Sequence, residues 1–296
     1  MAVQPFTFED IEAALGGRFA IHSELALGGQ AAVFKATRVL TRDGLPTKDV
    51  IALKMYLYRD QDIRVDRETA AMENISHPAL ARLIEYGHFD LANRHMRYIA
   101  WEFIGGETLS QRLKNGRLLE SEVVGIGRDI SAAIAELWSR HIVHGDIKPS
   151  NIMLKDSGGA VLIDLGAARH LEQDNSPDAR KPFGTVGYFS PEQARGTKSL
   201  TCASDVFSLG VVMLQSLLGR HPTDYHQSAL ADGIRASGGK LTVSVGLLGK
   251  LDKMLSARST FRPNPVELSS YFERLLRRTE AESDPVGRPA LRKTGK

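Results

Sequence analysis

The chain has a single cysteine, Cys202, among its 296 residues. One thiol cannot form an intramolecular disulfide, so the sequence excludes a disulfide-stabilised secreted domain and favours a reducing, cytoplasmic location. Cys202 directly precedes an apolar segment, which indicates a small packing residue rather than a nucleophile. The amino terminus has no basic start followed by an apolar stretch, so we expect no signal peptide.

Long apolar runs and a strong net charge are absent as well. No stretch reaches about eighteen apolar residues, so the sequence predicts no membrane span. The net charge is +3, from 38 Lys and Arg against 35 Asp and Glu, and so small an excess does not indicate nucleic acid as a partner. Basic residues cluster near the carboxyl terminus, and we interpret them as a solvated helix face followed by a loose tail.

The first part of the chain has the patterns of a β-sheet. After a leader at 1–20, with a short predicted helix from Phe8 to Leu15, a helix at about 63–74 is the one interruption, and it ends before Pro78. Alternating and β-branched segments predict strands at 20–27, 31–39, 49–58 and 97–104.

Helices dominate from residue 105 onward. Ser121 is the predicted cap of a long helix with a continuous apolar stripe. Residues 204–219 are apolar on every side, which predicts a buried helix that ends at Gly219. A β-rich half followed by an α-rich half predicts an α+β protein with two lobes. The predicted boundaries are an N-lobe at 21–104, a C-lobe at 105–278 and a disordered basic tail at 279–296.

Two features of the N-lobe suggest a phosphate site. Gly28 and Gly29 lie between strand-like flanks, where backbone N–H groups could approach phosphate oxygens, although a glycine pair in a hairpin is more often a plain turn. Lys54 lies in the apolar strand IALK, where a buried ammonium needs a counter-charge. Glu68 on the following helix is the nearest candidate. The alternative is an edge strand from which Lys54 reaches solvent.

The stretch HGDIKPSN, residues 144–151, carries the candidate chemistry. Asp146 is a candidate base, and Lys148, two residues on, could neutralise a transferring group. Asn151 offers the oxygen ligand that Mg²⁺ prefers, and Asp164 follows the next apolar strand. Together with Lys54 these groups form a set suited to nucleotide-dependent phosphoryl transfer, a reaction that requires positioning and charge neutralisation.

Residues 20–278 resemble the eukaryotic-type (Hanks-type) protein kinase fold in the order and spacing of its motifs. The glycine-rich loop corresponds to ELALGGQAAVFKA, the catalytic loop to HGDIKPSN, and the metal-binding motif to DLG at 164–166. SPE at 190–192 corresponds to the APE motif, Asp205 to the central-helix aspartate, and Arg262 to the arginine that pairs with Glu192. GTVGYFSPEQARG, at 184–196, is particularly similar to bacterial Ser/Thr kinases.

The resemblance implies that ATP, Mg²⁺ or Mn²⁺, and proteins with Ser or Thr acceptors are the ligands. It implies that Asp146 and Lys148 are catalytic and that Asn151 and Asp164 hold the metal. It implies a nucleotide site formed by Leu27, Gly28, Gly29, Val33, Ala52, Lys54, Glu68, and the backbone of Glu102 and Ile104. It also implies an internal spine of Met72, Leu83, His144 and Leu165.

Some positions depart from the family pattern. Ala26 and Ala31 replace the first and third glycines, so we expect a stiffer lid over the nucleotide. Gly145 replaces the arginine that pairs with a phosphorylated activation loop, which predicts activity independent of that phosphorylation. Trp101 occupies the gatekeeper position, where it would close the back pocket or simply fill the core.

Two other functions stay open at this point. HGD also begins the catalytic motif of aminoglycoside and other small-molecule phosphotransferases of the same fold. In those enzymes another residue usually replaces Lys148, and the set formed by SPE, Asp205 and Arg262 is absent. The second alternative is a pseudokinase that folds and binds partners without phosphoryl transfer, although every polar catalytic position is filled here.

Overall fold

The computed structural model describes residues 6–27, 31–56, 62–73, 75–170, 184–196, 200–222 and 243–283. Several sequence predictions therefore concern positions outside the described residues. These are the glycine pair Gly28 and Gly29 and the predicted tail after residue 283.

A five-stranded antiparallel sheet forms the N-lobe, with strand order β1-β2-β3-β5-β4. The pairing registers place Lys54 of β3 opposite Val33 of β2 and Ile99 of β5, so Lys54 lies in a central strand and not at an edge. The predicted strands and the helix α2 are present, whereas β4 was not predicted because its sequence LIEYGHFDL does not alternate regularly. The elements are β1 Phe19–Leu27, β2 Ala31–Leu40, β3 Pro46–Tyr56, α2 Asp62–Met72, β4 Leu83–Leu91 and β5 Arg94–Glu102.

The amino-terminal leader packs on the sheet. Helix α1, Phe8–Ala14, is capped by the Thr7 side chain, which accepts a hydrogen bond from the Asp10 backbone. Ile11 is buried in a second apolar cluster of this lobe, and the Phe8 ring meets the Phe34 ring edge-on at 5.9 Å. Since β1 begins at Phe19, the sheet begins inside the predicted leader.

The C-lobe is built around a buried helix. Helix α6, Cys202–Leu218, is almost entirely shielded from solvent and ends at Gly219 in a left-handed conformation (φ 71°), as predicted. Short strands form the floor of the cleft. The helices are α3 Leu109–Arg112, α4 Glu120–Ser139, α5 Pro191–Ala194, α7 Val245–Met254 and α8 Pro265–Ser283; the strands are β6 Gly106–Thr108, β7 Ile142–Val143, β8 Ile152–Lys155, β9 Ala160–Leu162 and β10 Arg169–His170.

Two helix ends differ from the predictions. Ser121 does not cap α4, because the cap position is Leu119, whose N–H donates to Glu122 Oε2 at 2.7 Å. Helix α8 continues to Ser283, so the first residues of the predicted tail are helical and the tail after 283 lies outside the described residues. Among the described helices, none is both long enough and apolar enough to cross a membrane.

One apolar cluster contains residues of both lobes, and the chain passes from one lobe to the other at 102–106. Gly106 has a φ of 138°, and a Cβ there would lie 1.9 Å from the Leu154 carbonyl oxygen. Only glycine fits so close to the β8 backbone. Gly106 therefore fixes the approach of the interlobe connection to the cleft, a constraint that the sequence pattern did not reveal.

Candidate active site

Lys54 lies between two carboxylates at the back of the cleft. Its Nζ is 3.0 Å from Glu68 Oε2, 3.3 Å from Glu68 Oε1 and 2.7 Å from Asp164 Oδ1. The three N–H groups of an ammonium can each be directed at one of these oxygens. The structure therefore brings together three groups from a strand, a helix and a loop, and Glu68 is the predicted partner of Lys54.

Aromatic groups complete this cluster. The Nζ of Lys54 lies 5.0 Å from the centre of the Tyr56 ring and 5.8 Å from the Trp101 ring. The Tyr56 hydroxyl donates a hydrogen bond to Glu68 Oε2. Because Lys54 and Tyr56 are two residues apart on β3, their side chains share one face of the strand.

The charges in this cluster support one another. Burial alone would lower the pKa of Lys54, but Glu68 and Asp164 raise it well above the ordinary value, so the ammonium stays charged. Loss of hydration would raise the pKa of Asp164, yet Lys54 and the Gly166 N–H outweigh it and bring the pKa down to about 2. Burial raises the pKa of Glu68, and Lys54 opposes that effect.

Asp164 reaches this position through its backbone. Its φ is 62°, a left-handed conformation that costs a non-glycine residue free energy, though Asp tolerates it better than most residues. The conformation directs Oδ1 to Lys54 and to the Gly166 N–H at 3.3 Å. No described residue donates a hydrogen bond to Oδ2, and the side chain is 41% exposed.

Asp146 is held by donors from three residues. Its Oδ2 accepts from Lys148 Nζ at 2.8 Å and from Asn151 Nδ2 at 3.4 Å, and its Oδ1 accepts from Thr185 Oγ1 at 2.7 Å. Lys148 Nζ also donates to Thr185 Oγ1 at 2.7 Å. A carboxylate has about four lone-pair sites, so these donors leave one for a substrate hydroxyl.

Asp205 at the start of α6 shapes the catalytic loop. Its two carboxylate oxygens each accept one backbone N–H, from His144 and from Gly145, both at 2.8 Å. His144 is fully buried, and its Nδ1 accepts the N–H of Asp146 at 3.2 Å. The buried helix therefore sets the backbone that carries Asp146. Of the predicted spine, Met72 and Leu165 are buried in the same apolar cluster, on which Leu83 packs.

Glu192 and Arg262 form an ion pair in which Arg262 is buried and Glu192 is partly buried. Arg262 Nη1 and Nη2 donate to the two Glu192 oxygens at 2.6 and 2.9 Å, and the Arg262 side chain has no exposed surface. Burial would raise the pKa of Glu192, but the bonds from Arg262 and Ser204 lower it to about 2. This predicted pair is present and joins α5 to the segment before α8.

Arg262→Ala is expected to lower the free energy of unfolding by on the order of 3 kcal/mol, because it removes the cation that pairs with the largely buried Glu192 carboxylate. Urea titration with circular dichroism measures this. The matched control is Arg277→Ala, which removes an exposed partner of Glu273 and should cost less than about 1 kcal/mol. Equal losses of unfolding free energy in Arg262→Ala and Arg277→Ala would contradict this expectation.

The pair should also make stability depend on pH. Because the folded pKa of Glu192 is depressed from 4.5, the stability that the pair adds is present above pH 4.5 and is lost as the pH falls toward 2.

Gly28 and Gly29 lie outside the described residues, and the other predicted nucleotide residues differ in burial. Ala52 is buried, whereas Val33 and Ile104 are partly exposed and pack on the interlobe cluster. Leu27, the last residue of β1, is 68% exposed. No described residue forms a hydrogen bond with the Ile104 backbone, so its N–H and C=O are available to a base. The Glu102 N–H already donates to the Arg82 carbonyl at 3.0 Å, which leaves the Glu102 carbonyl for a ligand.

The residues present fit a hard divalent cation. Asn151 donates its amide N–H to the Asp146 carbonyl at 2.9 Å, and its side-chain oxygen accepts only a long bond from the Ser150 hydroxyl at 3.5 Å. That oxygen and Oδ2 of Asp164 could therefore serve as metal ligands. Within the described ranges, no three His, Cys, Asp or Glu side chains converge into a complete metal site. Mg²⁺ commonly takes one or two protein oxygens and completes its shell with phosphate and water.

Sequence reasoning missed part of this site. Thr185 was part of the bacterial-type motif at 184–196 and had no assigned role in the site, yet it bonds both Asp146 and Lys148. Gln193, buried in α5, donates from Nε2 to the Gly145 carbonyl at 2.9 Å and so connects the SPE segment to the catalytic loop. The sequence carries no local signal for either contact, because the fold alone brings these distant segments together.

The protein kinase domain family matches residues 19–291, which is most of the chain. The chain belongs to the protein kinase family. The predicted resemblance to bacterial Hanks-type kinases and the predicted two-lobed α+β fold are therefore confirmed.

Two further residues of this kinase had been singled out in the sequence. Gly145 stands where the family has arginine. Burial raises the pKa of the Cys202 thiol to about 11, so the thiol is protonated at neutral pH and is not a nucleophile.

Curated relatives of the kinase carry the names of bacterial serine/threonine kinases. A probable serine/threonine-protein kinase PknB of Lactococcus lactis is 32% identical over 70% of this chain and 32% of the relative. The serine/threonine-protein kinase PrkC of Bacillus subtilis is 32% identical over 71% of this chain and 32% of its own length. Pkn2 of Myxococcus xanthus is 28% identical over 93% of this chain and 34% of its own. The chain thus spans about a third of the length of these relatives.

Proposed function

We propose that this kinase transfers the terminal phosphoryl group of ATP to serine and threonine hydroxyls of proteins, including its own. The observation that carries the proposal is the arrangement around Asp146. Lys148, Asn151 and Thr185 orient its carboxylate and leave one lone-pair site. A hydroxyl at that site would be held with its proton directed at a carboxylate, as general-base assistance requires.

The other predicted residues would bind the phosphates, the metal ion and the adenine. Lys54 would hold the α- and β-phosphates, with Glu68 keeping its ammonium in place. Asn151 and Asp164 would hold Mg²⁺, which neutralises charge on the phosphates when bound. Lys148, beside the acceptor site, would stabilise charge on the transferring group. Glu102 and Ile104 would recognise adenine through their backbone, and Val33, Ala52 and Leu27 would pack on its faces.

Thr185 and Lys148 support aliphatic hydroxyls as acceptors. Both groups bond to Asp146. In kinases of this fold, a lysine at position 148 together with a threonine at position 185 favours serine and threonine over tyrosine substrates.

The small-molecule alternative is disfavoured by the C-lobe. The Glu192–Arg262 pair and the Asp205 bonds to the catalytic loop are those of protein kinases, and their motifs are absent from the small-molecule enzymes that share this fold. The pseudokinase alternative is disfavoured because Lys54, Asp146 and Asp164 are all present and directed into one cleft.

Incubation with γ-labelled ATP, Mg²⁺ and a generic protein substrate separates the three functions. A protein kinase labels itself or the substrate on serine and threonine, a small-molecule phosphotransferase labels only an added small molecule, and a pseudokinase labels nothing. The Asp146→Asn variant, prepared in the same way, controls for contaminating kinases. Label on small molecules alone, or none at all, would overturn the proposal.

We also expect activity that does not depend on phosphorylation of the activation segment. Of the hydroxyls between Asp164 and Glu192, Thr185 is bonded to Asp146, Tyr188 donates to Gln215 at 2.8 Å, and Ser190 is buried as a helix cap. Ser176, outside the described residues, is the remaining candidate. Ser176→Ala and phosphatase-treated wild type should keep kcat within about twofold, measured as initial rates, because Gly145 offers no charge to a phosphate. A large loss in either sample would contradict this.

A further inference from the structure

We infer that Tyr56 is a positioning residue whose hydroxyl holds Glu68 and thereby fixes helix α2 against the cleft from within the N-lobe. The inference rests on the proposed function for its kinetic test. Its structural basis is the hydrogen bond from Tyr56 to Glu68 Oε2, formed on the same oxygen that pairs with Lys54.

The bond is shielded from water. Tyr56 is 3% exposed and Glu68 is fully buried. A buried carboxylate needs its hydrogen-bond donors, since solvent cannot replace a donor that is lost. The Tyr56 hydroxyl is therefore part of what allows Glu68 to remain ionised at this depth.

Tyr56 and Lys54 both bond to Glu68, but only Lys54 would also bind the nucleotide. The Lys54 ammonium is shared between Glu68 and Asp164, and it is the group that nucleotide phosphates would engage. A phosphate at Lys54 would compete with Glu68 for the N–H groups of the same ammonium. The Tyr56 bond does not depend on the nucleotide, so it can keep the Glu68 carboxylate oriented throughout the reaction.

The other bonds between α2 and the sheet are weaker anchors. Arg97 on β5 pairs with Asp66 at 2.7 Å, and Tyr86 on β4 donates to Glu73 at 2.9 Å. Both acids are exposed, Asp66 to 66% of its side chain, and Glu73 lies just after the last residue of α2. Exposed pairs contribute little to stability. The bonds at Glu68 are the buried ones, so they should dominate the placement of the helix.

The bond from Tyr56 to Glu68 is consistent with the absence of the arginine that the family usually has at the position of Gly145. Gly145 has no side chain with which to bind a phosphorylated activation segment, so the segment lacks that route for ordering the site. Tyr56 supplies an anchor for α2 that belongs to the sheet itself. The arrangement of Lys54 and Glu68 is then set by folding of the N-lobe rather than by modification.

Tyr56→Phe tests the inference because it removes one hydroxyl and keeps the ring. We expect kcat/KM for ATP to fall about tenfold, since one hydrogen bond to a buried charge is lost, with KM for the protein substrate unchanged. The matched control is Tyr98→Phe, which removes the buried hydroxyl that donates to Glu85 at 2.9 Å on the other side of the sheet. Tyr98→Phe should lose about as much thermal stability as Tyr56→Phe, but its kinetic constants should be those of the wild type.

A double-mutant cycle with Glu68→Gln separates positioning from a general loss of stability. If Tyr56 acts through Glu68, Tyr56→Phe should change kcat/KM for ATP by less than about twofold in the Glu68→Gln background, whereas independent effects would multiply. A full tenfold loss in both backgrounds, or wild-type kinetics for Tyr56→Phe alone, would overturn the inference.

Amide hydrogen exchange tests whether Tyr56 anchors α2 without the need for an activity assay. The amides of α2 should exchange about tenfold faster in Tyr56→Phe than in the wild type or in Tyr98→Phe, because the helix opens more often. Unchanged exchange in α2 would overturn the inference. If the wild type transfers no phosphate, the proposed function fails, and exchange still decides whether Tyr56 anchors the helix.

Discussion

Replacing Asp146 by Asn is expected to lower kcat by about 10²–10⁴-fold while the protein stays folded, because general-base assistance and acceptor positioning are lost together. The amide keeps the shape of the side chain, but one of its two oxygens becomes an NH₂ donor. That donor would face Thr185 or Lys148, both of which now donate to Asp146, so the orientation of the loop should suffer as well.

Single-turnover and steady-state rates measure this loss, and thermal unfolding verifies the fold. Asp156→Asn is the matched control, since that aspartate is exposed in the turn after β8 and should leave kcat unchanged. ATP affinity should remain within about threefold of the wild type, because Asp146 is assigned to the acceptor and not to the nucleotide. Near-normal turnover in Asp146→Asn would show that another group removes the proton.

Lys54→Met should strongly weaken nucleotide binding and also destabilise the N-lobe. Loss of a preorganised cation on the phosphates should cost about 10²-fold or more in kcat/KM for ATP. The stability loss should be on the order of 3 kcal/mol, because the buried Glu68 carboxylate would lose its cation and keep only the hydrogen bond from Tyr56. Calorimetric ATP titration and urea denaturation measure the two effects separately.

The two effects of Lys54→Met can be separated genetically. Adding Glu68→Gln removes the buried charge, so the double variant should regain much of the stability and none of the activity. Lys35→Met is the control for a strand lysine outside the carboxylate cluster; its Nζ lies 4.4 Å from the Phe103 ring, and its loss should be mild. If Lys54→Met alone were as stable as the wild type, the ion pair would not be the anchor we describe.

The sequence predicted those parts of the site that lie close together along the chain. Asp146, Lys148 and Asn151 are within six positions, and Lys54 is conspicuous because a charge interrupts an apolar strand. These local signals also identified the buried helix α6 and its glycine end. Such features depend on spacing and on burial, and both can be read from residue types.

Contacts between distant residues could not be predicted in this way. Thr185 lies 39 residues after Asp146, and the bond between them depends on how the segment before α5 folds back on the catalytic loop. The bond from Tyr56 to Glu68 depends on the rotation of α2 about its axis, which no pattern in either segment reports. β4 was missed for a different reason, because Gly87 and polar residues break its alternation.

A crystal structure of the chain with Mg²⁺ and a non-hydrolysable ATP analogue is the most direct test of the central claim. The account predicts the purine beside Ile104, the metal on Asn151 and Asp164, Lys54 on the phosphates and the terminal phosphate directed at Asp146. A nucleotide bound elsewhere, or a metal that touches neither Asn151 nor Asp164, would contradict it.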